Sequence, residues 1–291
     1  MSAISSVASM KESGFKALVK RQPLLSMYII LFVLGWSGLI LQILDSQGLL
    51  SMPSPVAFII QIVTGWAPGI AAVLVTAILA GRTGVRDLLR RFLTWKVGFQ
   101  WYLVALFLIA FVILGGIGLH MLFGGTMPRV PVAGSSFVNV AIVFVVFTML
   151  GALLNSEEIA WRGFALPRLQ ARYGVLTAGL LIIIPEVALH IPLFFDKTNP
   201  FFQTVGIYWF SAFSIALVFI FIFVFNKTKG SLLIVTLMHA SQNAWANLLS
   251  DDHIARPFQF SVALVWMIAL ALIFFTKGQL GYNTESVDKS E

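Results

Sequence analysis

Two adjacent carboxylates, Glu157 and Glu158, follow an apolar run and are the first residues that indicate chemistry. Charged side chains beside a membrane-length apolar run are costly unless a partner or a function keeps them there. Arg162 lies four residues after Glu158, so on a helix the two side chains share a face and can pair. Glu157 is rotated by about 100° and points elsewhere, which suits a proton acceptor. The alternative is a surface salt bridge at a helix end.

Two histidines in later apolar segments are further candidates. His190 lies four residues after Glu186, and His239 lies four residues before Asn243, so each pair shares a helical face. A carboxylate and a histidine can together activate a water molecule. A second histidine and an asparagine can donate hydrogen bonds to a developing oxyanion. This combination favours hydrolysis of a peptide or ester without a covalent intermediate.

Other chemistries fit the same residues less well. A glutamate and two histidines can also bind zinc, but the sequence has no His-Glu-x-x-His helix. A serine nucleophile would be Ser156 or Ser241, and neither lies in a Gly-x-Ser-x-Gly turn. Intramembrane histidines and asparagines often serve only to join neighbouring helices. The grouping of all candidates in one block of helices favours the catalytic interpretation.

The composition shows which kind of scaffold must position these residues. Hydrophobic residues make up 59% of the 291 residues and charged residues 11%, against about 25% charged in a soluble domain. This predicts an all-α, polytopic membrane protein. The chain has no cysteine, which excludes disulfides and thiolate chemistry. We assign the net charge of +7 to contact with a lipid bilayer and not to nucleic acid, because the basic residues flank apolar runs.

Eight apolar runs are each close to the roughly 20 residues that a bilayer requires. The predicted spans are 24–44, 55–80, 99–122, 136–156, 175–195, 203–225, 232–249 and 257–276. Residues 1–23 and 277–291 are then terminal segments, and 24–276 form one integral membrane domain. The first span is expected to be an uncleaved helix. The seventh is short and contains several polar residues, so it should face protein or water and not lipid.

All but three of the 19 basic residues fall on one side of this arrangement, the exceptions being Arg129, Lys197 and Arg256. The positive-inside rule therefore predicts that both termini are cytoplasmic. Two stretches on the basic side, 84–97 and 164–173, alternate apolar and basic residues at helical spacing and predict interfacial helices. We expect a polar cavity among spans four to seven, with the first three spans completing its wall, and an opening toward the cytoplasm or inner leaflet.

Counting residues along these spans places two candidate residues at different depths in the membrane. Glu157 lies at the cytoplasmic end of span four, whereas His190 lies about 24 Å along span five. A kink at Pro185, a later start of span five or a deeper position of span four would bring the two together. His253, beside Asp251 and Asp252, is expected to be solvated.

The candidate residues also carry a family resemblance. Glu157-Glu158-x-x-x-Arg162, followed by Gly-Phe-Ala-Leu-Pro-Arg168-Leu, resembles the first motif of the CPBP family. This family comprises CAAX proteases and bacteriocin-processing enzymes and is also called the ABI family. The chain is similar to the family over a core of about residues 137–250, which implies an eight-helix intramembrane endopeptidase.

The second and third family motifs follow in order. His190-Ile-Pro is similar to the second, although Glu186 stands where the family has an aromatic residue. His239-x-x-x-Asn243 is similar to the third. An ionised glutamate within a membrane is costly, and we expect Glu186 to face the same cavity as His190, to pair with it or be protonated, or to act as a second acid. The departure leaves a divergent or inactive member as an alternative.

The resemblance implies a role for each residue. Glu157 would be the general base that acts on water, and His190 would position and polarise that water. His239 and Asn243 would form the oxyanion site. Glu158 and Arg162 would support the first motif, with Glu186 as a further supporting residue. The family was long described as zinc-dependent; the glutamate-water mechanism predicts no metal and no cofactor.

The expected substrate is a membrane-anchored peptide or a prenylated protein, and the expected location is a plasma membrane, most simply a bacterial one. One rival interpretation is a non-catalytic immunity or scaffold protein that keeps the fold. Another is a transporter that uses the same buried polar groups, although transporters often have paired repeats and here the polarity is confined to one half of the chain.

Overall fold

The computed structural model describes residues 14–250 and 255–283, and this part of the chain is helical without strands. The predicted all-α membrane fold is confirmed. Its α-helices are α1 (Phe15–Arg21), α2 (Pro23–Ser46), α3 (Ser54–Arg90), α4 (Phe99–Leu122), α5 (Phe137–Leu154), α6 (Leu166–Tyr173), α7 (Val175–His190), α8 (Pro200–Lys227), α9 (Leu232–Leu249) and α10 (Ala255–Phe275). A π-helix, Ile159–Ala165, precedes α6, and short 3₁₀ helices, Arg91–Leu93 and Ile191–Phe195, follow α3 and α7.

Seven helices in the described part are long and apolar enough to cross a membrane. They correspond to seven of the eight predicted spans. The remaining one, α9, is a helix of 18 residues, but it is not among the seven because its polar side chains lower its mean hydropathy. Much of α9 is buried, and it packs against α4 and α5. This agrees with the expectation that the run faces protein and not lipid.

Helix α3 continues beyond the second predicted span. Gly81 has φ 62° and ψ −157°, a conformation that residues with a side chain rarely adopt, and the helix is kinked there. The chain then remains helical to Leu93. The predicted interfacial segment 84–97 is therefore helical over most of its length, as the second part of a bent helix.

The other predicted interfacial segment, 164–173, packs within the bundle. All residues of the π-helix Ile159–Ala165 are buried, and α6 buries Leu166 and Leu169. Helix α6 packs against α7 and the π-helix. The expectation that Phe164 lies on a lipid surface is wrong, because its side chain is fully buried. Arg162 is likewise buried, so it does not belong with the loop charges.

The residue that precedes the carboxylate pair fixes the depth of the site. The backbone N–H of Ser156 donates to the carbonyl of Gly65 over 3.1 Å, and its Oγ accepts from the N–H of Gly69 over 2.9 Å. A side chain at Gly69 would lie 2.7 Å from Ser156 Cβ, so this approach requires glycine. Both glycines lie near the middle of the part of α3 between Ser54 and the kink at Gly81.

Helix α5 therefore ends midway through the bundle, and residues 155–173 complete the crossing. The placement of Glu157 at the end of a span is wrong, and its position beside the middle of α3 removes the conflict of depth with His190. The described part of the C-terminal segment also packs onto the bundle: Leu280 is buried, and its carbonyl accepts from Asn226 Nδ2 over 3.1 Å. The predicted solvation of His253 lies outside the described residues.

Candidate active site

An open cavity of about 570 Å³ lies between α7, α8 and α9. The carboxylates and histidines of the three motifs line its inner end. Of the first three predicted spans, α4 lines the cavity as expected, through Ile109 and Ile113, whereas no described lining residue comes from α2 or α3. The cavity extends to the bundle end where α8 and α10 begin, marked by Pro200 and Phe258. The expected opening on the side of the basic segments is therefore wrong.

Glu157 is held by neighbours along its own chain. Asn155 Nδ2 donates to Oε1 over 2.9 Å, and Trp161 Nε1 donates to Oε2 over 3.0 Å. The backbone N–H of Glu157 returns a hydrogen bond to Asn155 Oδ1 over 2.8 Å. Each carboxylate oxygen has a second acceptor position beyond its one donor, so the group is oriented and can still accept a proton.

Glu158 points to the other side, as its 100° rotation from Glu157 predicts. Its Oε1 lies 3.2 Å from Arg162 Nη1 and 2.9 Å from His239 Nδ1. The predicted pairing of Glu158 with Arg162 is therefore present. His239 Nε2 lies 3.9 Å from Glu157 Oε1, so the imidazole spans the two carboxylates.

Glu186 also binds Arg162, with its Oε1 3.3 Å from Nη1. One guanidinium nitrogen thus serves two carboxylates from different helices. The expectation that Glu186 pairs with the ring of His190 is not met, because the side chain turns to the arginine. Glu186 lines the cavity beside His190, as predicted.

His190 is oriented by the backbone and by an aromatic ring. Its Nδ1 lies 2.9 Å from the carbonyl oxygen of Glu186, and a carbonyl only accepts, so Nδ1 carries the hydrogen. In the neutral ring Nε2 is then an acceptor. The ring of Phe210 packs against the imidazole with centroids 5.1 Å apart. His190 and Glu157 line the same cavity.

Asn243 lies one turn beyond His239 on α9, and its side chain is exposed in the cavity. Gln242 and Asn247 line the same wall. Asn247 Nδ2 donates to the backbone carbonyl of Asn243 over 2.7 Å, and this contact does not use the Asn243 amide group. The structure thus brings all four predicted catalytic residues to one cavity.

Comparison with known proteins covers this part of the chain. Residues 136–245 match a family model described as type II CAAX prenyl endopeptidase, Rce1-like. A protein of Methanococcus maripaludis named CAAX prenyl protease 2 is 24% identical over 259 residues, which is 87% of this chain and 92% of that protein. The matched region contains every motif residue of the cavity.

Both comparisons support the resemblance to the CPBP family that the three motifs indicated. Similarity to CAAX proteases supports an intramembrane endopeptidase, in agreement with the membrane helices and the polar cavity.

Three residues that complete this site were not predicted from the sequence. Asn155 and Trp161 both donate to Glu157, and the spacing of Trp161, four residues after the glutamate, is the signal that could have revealed it. The third is Phe221 of α8, whose ring lies 4.6 Å from the Arg162 guanidinium and packs edge-on to the imidazole of His239. No spacing rule links α8 to these residues.

The donor atoms of this site do not fit a metal centre. Among the described residues, no group of three or more His, Asp or Glu side chains could hold a metal ion. The Glu158 oxygen nearest His239 already contacts nitrogen atoms of both Arg162 and His239, so it is not free to bind a metal.

Proposed function

We propose that this protein is an intramembrane endopeptidase in which Glu157 activates a water molecule for attack on a peptide bond of a membrane-anchored substrate. The observation that supports it most is the contrast between the two adjacent carboxylates. Glu157 is oriented by two N–H donors at the inner end of the cavity, whereas Glu158 is committed to Arg162 and His239.

In the proposed reaction, Glu157 accepts a proton from water as the oxygen attacks the scissile carbonyl carbon. The side-chain amide of Asn155 and the indole N–H of Trp161 hold the carboxylate in place without using all of its acceptor positions. The same proton can then pass to the leaving amine, so one group acts first as base and then as acid. No covalent intermediate with the protein is formed.

His190 positions the water. Its Nδ1–H is fixed on the Glu186 carbonyl, which leaves Nε2 of the neutral ring to accept a hydrogen bond from the water that Glu157 deprotonates. Because the ring also packs on Phe210, it is held in one orientation. A fixed acceptor places the water without a reorganisation cost at the moment of reaction.

His239 and Asn243 supply the oxyanion site. The Asn243 amide N–H donates to the developing oxyanion, as does His239 Nε2–H. Since Nδ1 of His239 faces Glu158, the ring must carry a hydrogen on both nitrogens for Nε2 to donate, and the two bordering carboxylates stabilise that cation. Glu158, Arg162 and Glu186 hold this charge in place.

The cavity walls fit an apolar membrane substrate. Phenylalanine rings of α8 line one side, among them Phe201, Phe202, Phe210 and Phe213. Such a wall accommodates either apolar side chains or a prenyl group, and the relative from M. maripaludis is named for a prenylated substrate. The bilayer is the second partner. No part of the proposal involves nucleic acid, a metal or a cofactor.

The test is cleavage of quenched fluorescent peptides, with and without a prenyl group, by the purified full chain before and after exhaustive chelation. The proposal predicts cleavage that chelation leaves unchanged. Loss of activity that only zinc restores would contradict the metal-independent mechanism. Preference for the prenylated peptide would assign the substrate class. Absence of cleavage for both peptides, together with proton-coupled flux in liposomes, would favour the transporter instead.

A further inference from the structure

The cavity reaches only one end of the bundle. Asn199 and Pro200 at the start of α8, Ser250 after α9 and Phe258 near the start of α10 line its mouth. At the inner end the deepest lining residues are Arg162 and Phe221. Beyond them, toward the end of α8, the side chains of Phe164, Phe225 and Leu232 are buried and close the bundle.

Contacts between the connecting segments define the two ends of the bundle. At the mouth end, Gln47 Nε2 after α2 donates to the Phe195 carbonyl after α7 over 2.9 Å. At the closed end, Ser231 Oγ before α9 donates to the Thr94 carbonyl before α4 over 2.7 Å. We call these the mouth face and the closed face. Because successive membrane-crossing segments run in opposite directions, each of the remaining connections lies on either the mouth face or the closed face.

Charge is distributed unevenly between the two faces. Among the described residues, the basic side chains of the mouth face are Arg129, Lys197 and Arg256, and its acidic side chains are Asp45 and Asp196. The other described basic residues outside the site belong to the closed face, including those between Arg82 and Lys96. The positive-inside rule therefore assigns the closed face to the cytoplasm and the mouth to the opposite side of the membrane.

The lining of the cavity indicates what passes through this mouth. The charged side chains among the described lining residues are Glu157, Arg162 and Glu186, together with the His239 cation of the proposed reaction, and all four lie at the inner end. Between them and the mouth, phenylalanine rings of α8 face the amides Asn243 and Asn247 of α9. Amides pair with a peptide backbone, and aromatic rings accept apolar side chains. Such walls suit an extended, uncharged and apolar peptide segment.

We propose that the substrate is a membrane-anchored peptide whose scissile segment is apolar and enters from the extracytoplasmic face. This rests on the proposed peptidase function for the chemistry, but the direction of entry follows from the cavity and the charge distribution alone. Entry from this face differs from the opening toward the cytoplasm or inner leaflet that was expected from the sequence, because the sequence does not show which end of the bundle is open.

The absence of cysteine from the chain makes the direction of entry directly measurable. Three single-cysteine variants of the full chain are required. Thr126→Cys lies in the exposed connection on the mouth face, Gln100→Cys is exposed at the closed face, and Asn247→Cys lies in the cavity. Ser241→Cys, buried on the same helix as Asn247, is the control for non-specific reaction.

A membrane-impermeant maleimide is applied to intact cells and, separately, to inverted membrane vesicles. The proposal predicts that Thr126→Cys and Asn247→Cys are labelled in intact cells, that Gln100→Cys is labelled only in inverted vesicles, and that Ser241→Cys is labelled in neither.

Two results would overturn the proposal. Labelling of Thr126→Cys only in inverted vesicles would reverse the orientation. Labelling of Asn247→Cys only in inverted vesicles, or in neither preparation, would show that the cavity does not open on the mouth face. Because labelling requires no turnover, either failure is distinguishable from failure of the peptidase proposal, which is measured by cleavage with purified protein.

Discussion

Helices α5 and α9 have the same length, 18 residues, but face different surroundings. Helix α5 buries only Phe144 and Thr148, and its mean hydropathy is 2.6. Helix α9 is buried along its length and presents His239 and Asn243 to the cavity. Both helices lead to the same site, since Glu157 follows the end of α5 and His239 lies near the middle of α9.

The comparison shows that in a membrane protein the more apolar helix can be the less buried one. The sides of a helix that face lipid must be apolar, whereas sides that face protein can carry polar groups, because other side chains satisfy them. Substitutions should accordingly have large effects on the cavity side of α9 and small effects on the exposed side of α5.

The largest effect within this comparison is expected for His239→Ala. The imidazole spans Glu157 and Glu158, and its loss removes an oxyanion donor and the cation between the two carboxylates. We expect kcat to fall by about 10³-fold, at the upper end of the range for loss of an oxyanion donor. The measurement is peptide cleavage by purified protein.

His120→Ala is the matched control, since this histidine lies near the end of α4 and outside the cavity lining. It should leave kcat unchanged. Equal losses of kcat in His239→Ala and His120→Ala would mean that His239 of α9 has no special role in the reaction.

Asn243→Ala should have the next largest effect, about 10²-fold on kcat, because it removes one oxyanion donor and leaves both carboxylates paired. The control is Asn247→Ala, which removes the same amide one turn further along the cavity wall. A loss confined to KM in both variants would assign Asn243 to substrate binding and not to the oxyanion site.

The first motif could be predicted well from the sequence because its contacts are local. The pairing of Glu158 with Arg162 follows from helical periodicity, and the structure shows it at 3.2 Å. The seven apolar spans follow from hydropathy in the same way. The grouping of the three motifs at one cavity was predicted from their order and from the family resemblance.

The depth of Glu157 in the bundle and the direction in which the cavity opens could not be predicted, because both depend on packing between segments that are distant in sequence. The bonds of Ser156 to Gly65 and Gly69 place Glu157 midway through the bundle, and no local pattern indicates them. The second partner of Arg162, Glu186, lies on another helix. The open end of the cavity likewise depends on the packing of helices that are distant in sequence, since its lining comes from α4 and from α7 to α10.

Substitution of Glu186 is expected to have a smaller effect on kcat, and it tests whether Arg162 requires both of its carboxylate partners. In Glu186→Gln the arginine keeps Glu158 as its charged partner, so we expect a loss of less than about tenfold in kcat, below that typical of an acid–base group. Glu186→Phe restores the aromatic residue that the family resemblance leads us to expect. A loss of 10²-fold or more in both variants would make Glu186 a direct participant in the reaction.

The smallest effect is expected on the exposed side of α5. Val145 is 52% exposed on that helix, and Val145→Ala should change the free energy of unfolding by no more than about 0.5 kcal/mol. Leu248→Ala, at a buried position of α9, should cost about 2 kcal/mol or more because it leaves a cavity. Reversible unfolding in detergent measures both, and similar losses would contradict the contrast between the helices.

The most direct measurement is cleavage by Glu157→Gln compared with wild type, together with binding of the same peptide. The substitution keeps the size of the side chain and its contact with Trp161 but removes the proton acceptor. Our account predicts that peptide binding persists while kcat falls by about 10³-fold or more. Cleavage at the wild-type rate would contradict it and show that another group activates the water.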